Sequence, residues 1–212
     1  MKNIGMKNIC EKLQAQNYDL GSMNALDFFA RKGDWQTSQY APFMNHVTAW
    51  EIEGSFEKEL VLNLPEMSTV EIGDAHKLAM KCKNTFDFIV IDNPQMCFGL
   101  NNEYCEHFDA IHLVTDLLND DALLSFNVKV EPFDYDTKVE WQRRRNGFYN
   151  VNDASCLSKD FVIDFYERFF KSRGYETLSV FWEKRPQEEG LYLMMVHLKR
   201  VNNENESNRE HH

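Results

Sequence analysis

Basic residues are scarce in this chain. Against 34 aspartates and glutamates stand 23 lysines and arginines, a formal net charge of −11. A surface of that sign repels phosphate backbones, so broad nucleic-acid binding is disfavoured, although a local basic patch fits inside such a field. No window approaches the roughly 20 apolar residues that a membrane-spanning helix needs. Met1 to Tyr18 is polar and charged throughout and lacks the apolar region of a secretory signal. Cys10, Cys82, Cys97, Cys105 and Cys156 form no CxxC pair and no Cys/His set with zinc spacing. An odd count in a chain too large to depend on disulfides points to reduced, mostly buried thiols and a cytoplasmic protein. His76, His107 and His112 share no metal-binding spacing, and His46 stands at a strand start, where it reads as structural. Neither an internal repeat nor a low-complexity linker interrupts the chain.

What is present is a core. Hydrophobic residues make up 43% of the 212 positions and aromatics 13%, enough for one sizeable core and too apolar for disorder. A single domain over 1–200 with an N-terminal helix is expected, followed by a polar tail over 201–212 that frays. His211 and His212 in that tail have the look of a vector remnant. The scattered methionines read as core filler.

Periodicity sets out the elements. Ile9, Cys10 and Leu13 fall at helical spacing within Met6 to Gln16. Strands are expected at Asn24 to Phe29, His46 to Ile52, Ser68 to Ile72, Phe86 to Ile91 and Ala122 to Val130. Helices are expected at Trp35 to Met44, Gly54 to Leu64, Ala75 to Lys83 and Glu103 to Leu118. Asn119-Asp120-Asp121 reads as a turn. Tyr135 to Leu157 shows little periodicity. Ser158 is a good N-cap for a helix that runs to Arg173 and stops at Gly174. Thr177 to Glu183 and Leu191 to Lys199 make a closing hairpin. Strand–helix alternation implies parallel strands joined by right-handed crossovers, and the hairpin forces the last strand to run the other way.

Four segments carry the chemistry. They are Ala25 to Asp34, Val47 to Glu51, Val70 to Ala75 and Phe88 to Gln95, each an apolar run ending in an acidic residue or a tight turn. A parallel sheet places such ends along one edge, where ligands bind. Their order and spacing resemble the cofactor half of the class I, Rossmann-like S-adenosylmethionine (SAM)-dependent methyltransferases, over roughly Asn24 to Arg200. That family implies an α/β fold, a three-layer sandwich with a seven-stranded, mostly parallel sheet and an antiparallel last strand. It also implies SAM as cofactor.

Carried over residue by residue, Asp27 would hold the SAM amino group or simply cap the next helix. In the turn after it only Gly33 keeps a family glycine. Phe29 and Arg31 replace others, and Arg31 would either crowd the pocket or reach the methionine carboxylate. Glu51, with Glu53 as competitor, would accept the ribose hydroxyls, and Trp50 or Ile52 would pack on the adenine. Asp74, before Ala75, would accept the adenine amino group, cap a helix, or both. Asp92-Asn93-Pro94-Gln95 resembles the Asp/Asn-Pro-Pro-aromatic motif that orients exocyclic amino groups of bases, with Gln95 in place of the aromatic and Phe98 a substitute for it. An ordinary Asn-Pro turn fits equally. Arg143, Arg144 and Arg145, mixed with Trp141, Phe148 and Tyr149, would sit over the substrate pocket, neutralise the acidic surface, or meet another subunit.

Two functions follow. One is a SAM-dependent methyltransferase acting on an amino group of a nucleobase, nucleotide, RNA or other small acceptor. The other is a catalytically degenerate protein of the same fold that scaffolds a protein partner or a homodimer, and the glycine-poor first turn favours it. The same crowding would also suit a different nucleotide or different chemistry.

Overall fold

The computed structural model describes residues 5–130, 134–135, 137–185 and 188–201. Nearly all of the expected tail, from 202 on, lies outside them. Nine strands alternate with seven α-helices among the described residues. They are α1 (Gly5–Ala15), β1 (Asn24–Asp27), α2 (Thr37–Tyr40), β2 (His46–Glu51), α3 (Glu57–Asn63), β3 (Thr69–Ile72), α4 (Ala75–Ala79) and β4 (Phe86–Ile91). Then come β5 (Cys97–Phe98), β6 (Tyr104–Cys105), α5 (Phe108–Val114), β7 (Leu118–Lys129), α6 (Val139–Tyr149), α7 (Lys159–Ser172), β8 (Tyr175–Lys184) and β9 (Leu191–Arg200).

Seven strands form one sheet in the order β3-β2-β1-β4-β7-β9-β8. β1, β2, β3, β4 and β7 pair in parallel, whereas β9 runs antiparallel to both β7 and β8. The expected reversed last strand is therefore present. Strand alternation feeds two cores. Phe88 and Val90 point to one side, among Met6, Ile9, Tyr40 and Leu60. Ile89 and Ile91 point to the other, among Ile111, Tyr149, Tyr166 and Phe170. Every side chain of β4 except Asp87 is buried, as a central parallel strand covered on both faces requires. No described helix is long and apolar enough to cross a membrane.

Several elements differ from expectation for identifiable reasons. Glu103 to Cys105 is not helical. Tyr104–Cys105 pairs antiparallel with Cys97–Phe98 in a separate two-stranded ribbon, and α5 begins only at Phe108. Asn119-Asp120-Asp121 is a bulge in β7 rather than a turn, since the register steps from Phe86↔Leu118 to Phe88↔Leu123. Arg200 Nε holds Asp120 at 2.7 Å across that edge. The stretch without periodicity contains α6. This helix meets the core through Trp141, Arg145 and Tyr149, and the charge in the middle of that buried stripe hides the pattern. α7 behaves as expected: Ser158 Oγ accepts the Phe161 N–H at 3.1 Å, and Gly174 follows with φ +81°.

Candidate functional site

One large cavity, of about 850 Å³, opens along the carboxyl ends of the parallel strands. That volume lies within the roughly 300–1,000 Å³ usual for small-molecule sites. Its walls are largely aromatic. Phe28 meets Phe29, Trp50 and His76 edge-on, and His76 lies flat on Tyr104 with ring centroids 3.6 Å apart. Burial holds the His76 imidazole below its ordinary pKa against the opposing pull of Asp74. The ring is therefore neutral near pH 7, and its buried Nε2 has no hydrogen-bond partner among the described residues.

Two acidic residues of the cavity come from successive strand ends. Glu51, at the end of β2, is nearly buried. Its Oε2 accepts the Arg31 N–H at 2.7 Å and its Oε1 accepts the Glu53 N–H at 2.8 Å. Each oxygen keeps a second lone pair. Arg31 reaches this bond in the left-handed region, φ +51°, and lays its guanidinium over Trp35 at 5.1 Å. Glu53 faces solvent and caps the turn at Gly54–Phe56 through Ser55, so Glu51 takes the cavity position of the two.

Asp74, after β3, caps the next helix, the plainer of its two expected roles. Oδ1 accepts the His76 N–H at 3.0 Å and caps α4, while Oδ2 receives the Tyr104 hydroxyl at 3.0 Å and Lys77 Nζ at 3.2 Å. Burial pushes its carboxyl up, but these donors together outweigh it and hold the pKa below the ordinary value. Burial and the Asp74 carboxylate push the Tyr104 phenol up to about 12.

The fourth segment forms a closed polar network at the far end of the cavity. Arg185 Nη1 donates to Asp92 Oδ1 at 2.5 Å and to Asn127 Oδ1 at 2.8 Å. Asn127 Nδ2 returns to Asp92 Oδ1 at 2.7 Å and to the Asn93 carbonyl at 2.9 Å. Asn93 Oδ1 accepts the Asn127 N–H at 3.0 Å. The Asn93 amide thus tethers the loop to β7 and is not free to read a substrate amino group. Asp92, Asn93, Pro94 and Gln95 all line the cavity, and Glu188 and Leu191 from the β8–β9 turn close it.

Phe29, Arg31, Glu51, Asp74, Ala75 and Phe98 also line it, whereas Asp27 and Gly33 do not. Asp27 is wholly buried. Its carboxylate takes Thr37 Oγ1 at 2.6 Å, the Tyr40 hydroxyl at 2.8 Å and the Phe29 N–H at 3.3 Å. Burial raises its pKa to about 6 despite these bonds. Gly33 packs against α3, where a Cβ would stand 3.0 Å from Leu60 Cδ1.

The arginine cluster is elsewhere. Arg145 is completely buried and grips Glu106 with Nη1 at 2.7 and 2.8 Å. Arg144 bonds Asp109 and the carbonyls of Asn102 and Glu103. Arg143 pairs with Glu140 at the surface. None of them lines the cavity, which corrects the expectation that they cover the substrate. His76, Tyr104, Asn127, Arg185 and Glu188 were missed by sequence reasoning. All but His76, which directly follows the third segment, stand apart from the four segments, and only their partners reveal them. No group of metal-ligating side chains occurs among the described residues.

No protein-family model matches the chain, and no curated protein matches it in sequence. Solved structures do. A Pyrococcus horikoshii protein provisionally named an RNA methyltransferase superposes with a TM-score of 0.56 at 14% identity, covering 92% of this chain and 84% of its own. TYW2 of M. jannaschii, solved in complex with AdoMet, gives 0.53 at 13% identity, over 92% of this chain and 77% of its own. The N-methyltransferase NodS from Bradyrhizobium japonicum WM9 gives 0.54 at 12%, over 92% and 97%. At these identities the likeness shows the fold. The chain has the architecture of class I SAM-dependent methyltransferases.

Proposed function

We propose that this chain is a SAM-dependent methyltransferase, with one domain over 1–200, that acts on a small acceptor. The observation that carries this reading is Glu51 beside Arg31 in an aromatic cavity at the strand ends of this fold. These residues fit the cofactor. The spare lone pairs of Glu51 suit a vicinal diol, the Arg31 guanidinium suits a carboxylate, and the Phe28, Phe29 and Trp50 walls suit a purine and exclude water. Asp74 has already received most of the donors it can hold, which leaves it chiefly a shaping residue for the adenine end. Bound there, SAM would supply an electrophilic methyl group on a sulfonium.

The chain's own contribution is positioning. Arg185 and Asn127 both bond Asp92 Oδ1 and fix that carboxylate at the acceptor end. No described donor reaches Oδ2, so this oxygen is available to hold a hydrogen of the acceptor or take its proton. Because Asn93 is tied to β7, the loop does not present the base-reading arrangement of the motif it resembles. Together with the net charge of −11, this favours a small molecule or nucleotide over RNA. The free thiols of the cysteines support a cytoplasmic protein.

A scaffold on the same fold is the second reading. It is favoured by Asp27, whose carboxylate is spent inside the core. The test is to incubate the protein with methyl-labelled SAM and a panel of small amines, nucleotides and short RNAs, and to follow S-adenosylhomocysteine (SAH) by mass spectrometry. Acceptor-dependent SAH is expected, strongest with small acceptors. No turnover and no SAM binding, together with a stable protein partner in a pull-down, would favour the scaffold.

A further inference from the structure

Two cysteines face each other in the β5–β6 ribbon, whose Phe98 and Tyr104 line the cavity. In the β5–β6 ribbon Cys97 is the direct partner of Cys105, next to the Phe98↔Tyr104 pair. The Glu106 N–H donates to the Met96 carbonyl at 3.1 Å, so Met96 and Glu106 form a hydrogen-bonded rung. Alternation along an antiparallel ladder then makes Cys97↔Cys105 a non-hydrogen-bonded pair, the closer kind, with Cα atoms about 4.5 Å apart. Disulfides span Cα separations of roughly 4.4–6.8 Å. Both thiols are free.

The two sulfurs are not equivalent. Cys105 is wholly buried, and burial drives its pKa far upward, so it stays protonated. Cys97 is only half-buried, so a small oxidant from solvent reaches it first.

We propose that Cys97 and Cys105 are a redox modification site, joined by peroxide into an intramolecular disulfide that locks the ribbon against the cavity. The Cys97 thiolate attacks one oxygen of hydrogen peroxide. The O–O bond breaks, the leaving hydroxide is protonated to water, and Cys97 becomes a sulfenic acid. The Cys105 sulfur then attacks the Cys97 sulfur. An S–S bond forms, the S–O bond breaks, and the hydroxyl leaves as water with the Cys105 proton. Two thiols have lost two electrons and two protons, and one peroxide has become two waters. A dithiol reverses the reaction by exchange.

The consequence for binding rests on the function proposed above. Phe98 touches Phe29 with centroids 5.7 Å apart, and Tyr104 covers His76 and bonds Asp74. Locking the strands that carry these two rings slows entry to and exit from the cavity.

The experiment is non-reducing mass spectrometry of the full chain titrated with hydrogen peroxide, with peptide mapping. Expected is the loss of two hydrogens, mapped to Cys97–Cys105 and restored by a dithiol. Cys97→Ser and Cys105→Ala should each abolish it, and Cys156→Ser should not. Accumulation of sulfinic acid on Cys97 without that loss, or a bridge mapped to any other pair, overturns the proposal. SAH association, followed in both redox states, should slow severalfold on oxidation. A disulfide that forms in a protein unable to bind SAH refutes the proposed function and leaves the modification site standing. Tight SAH binding without a disulfide does the reverse.

Discussion

Asp27 and Glu51 end neighbouring parallel strands on the same edge of one sheet, with Asp27 in register with Ala49, two residues before Glu51. Their fates are opposite. Asp27 is sealed by the hydroxyls of Thr37 and Tyr40 from α2. Among the described residues Glu51 receives only backbone N–H groups, from Arg31 and Glu53, and each of its oxygens keeps a second lone pair at the cavity. Strand-end position is therefore not what makes a carboxylate available. The donors that the next helix brings over it decide. One organises the first turn, and the other faces the cavity.

A third carboxylate sharpens the organising pole most strongly. Glu106 is buried against Arg145 and also receives Trp141 Nε1 at 2.7 Å. Removing one partner of a buried pair strands the other charge, so Glu106→Gln should lose about 3–5 kcal/mol in urea denaturation. A loss below about 1 kcal/mol would contradict a sealed pair.

Asp27 should show a pH signature in stability. Its folded pKa of about 6 exceeds the unfolded value near 3.8, so the folded state binds the proton more tightly. The resulting stabilisation is full below the unfolded value and is lost as pH rises through 6. Between pH 7 and pH 4, wild type should therefore gain about 2 kcal/mol relative to Asp27→Asn. Parallel stability curves for the two proteins would show that Asp27 is solvated.

Glu51→Gln should act on affinity instead. Losing charge-assisted hydrogen bonds to the ligand should cost about 1.5–3 kcal/mol, roughly tenfold or more in SAH binding. Arg143→Ala, a change at an exposed residue with only Glu140 as its ion partner, should alter neither stability nor SAH affinity measurably.

Much of this fold is legible in the sequence because the continuous apolar run of β4 and buried stripes of period 3.6 in α1 and α7 survive. The reversed last strand follows from the short Arg185 to Gly190 link. α6 was hidden because Arg145 interrupts its apolar stripe, and the charge that satisfies it comes from Glu106, 39 residues away. The β5–β6 ribbon was hidden because two-residue strands have no period. At the site, Asp27, Glu51, Asp74 and Asp92 were readable as acidic strand ends. Which of them stays open was not, since Thr37, Tyr40, Tyr104, Asn127 and Arg185 reach them from other elements. The same long-range partnership explains why Asn93 looked like a reading group and serves as a tether.

The most direct test is calorimetric titration of SAH into wild type, Glu51→Gln and Asp27→Asn near pH 7, each checked for folding. Expected is micromolar or tighter binding to wild type, at least about tenfold weaker binding to Glu51→Gln, and wild-type affinity in folded Asp27→Asn. Binding lost in Asp27→Asn but retained in Glu51→Gln would reverse the two roles, and no binding to wild type would remove the methyltransferase site altogether.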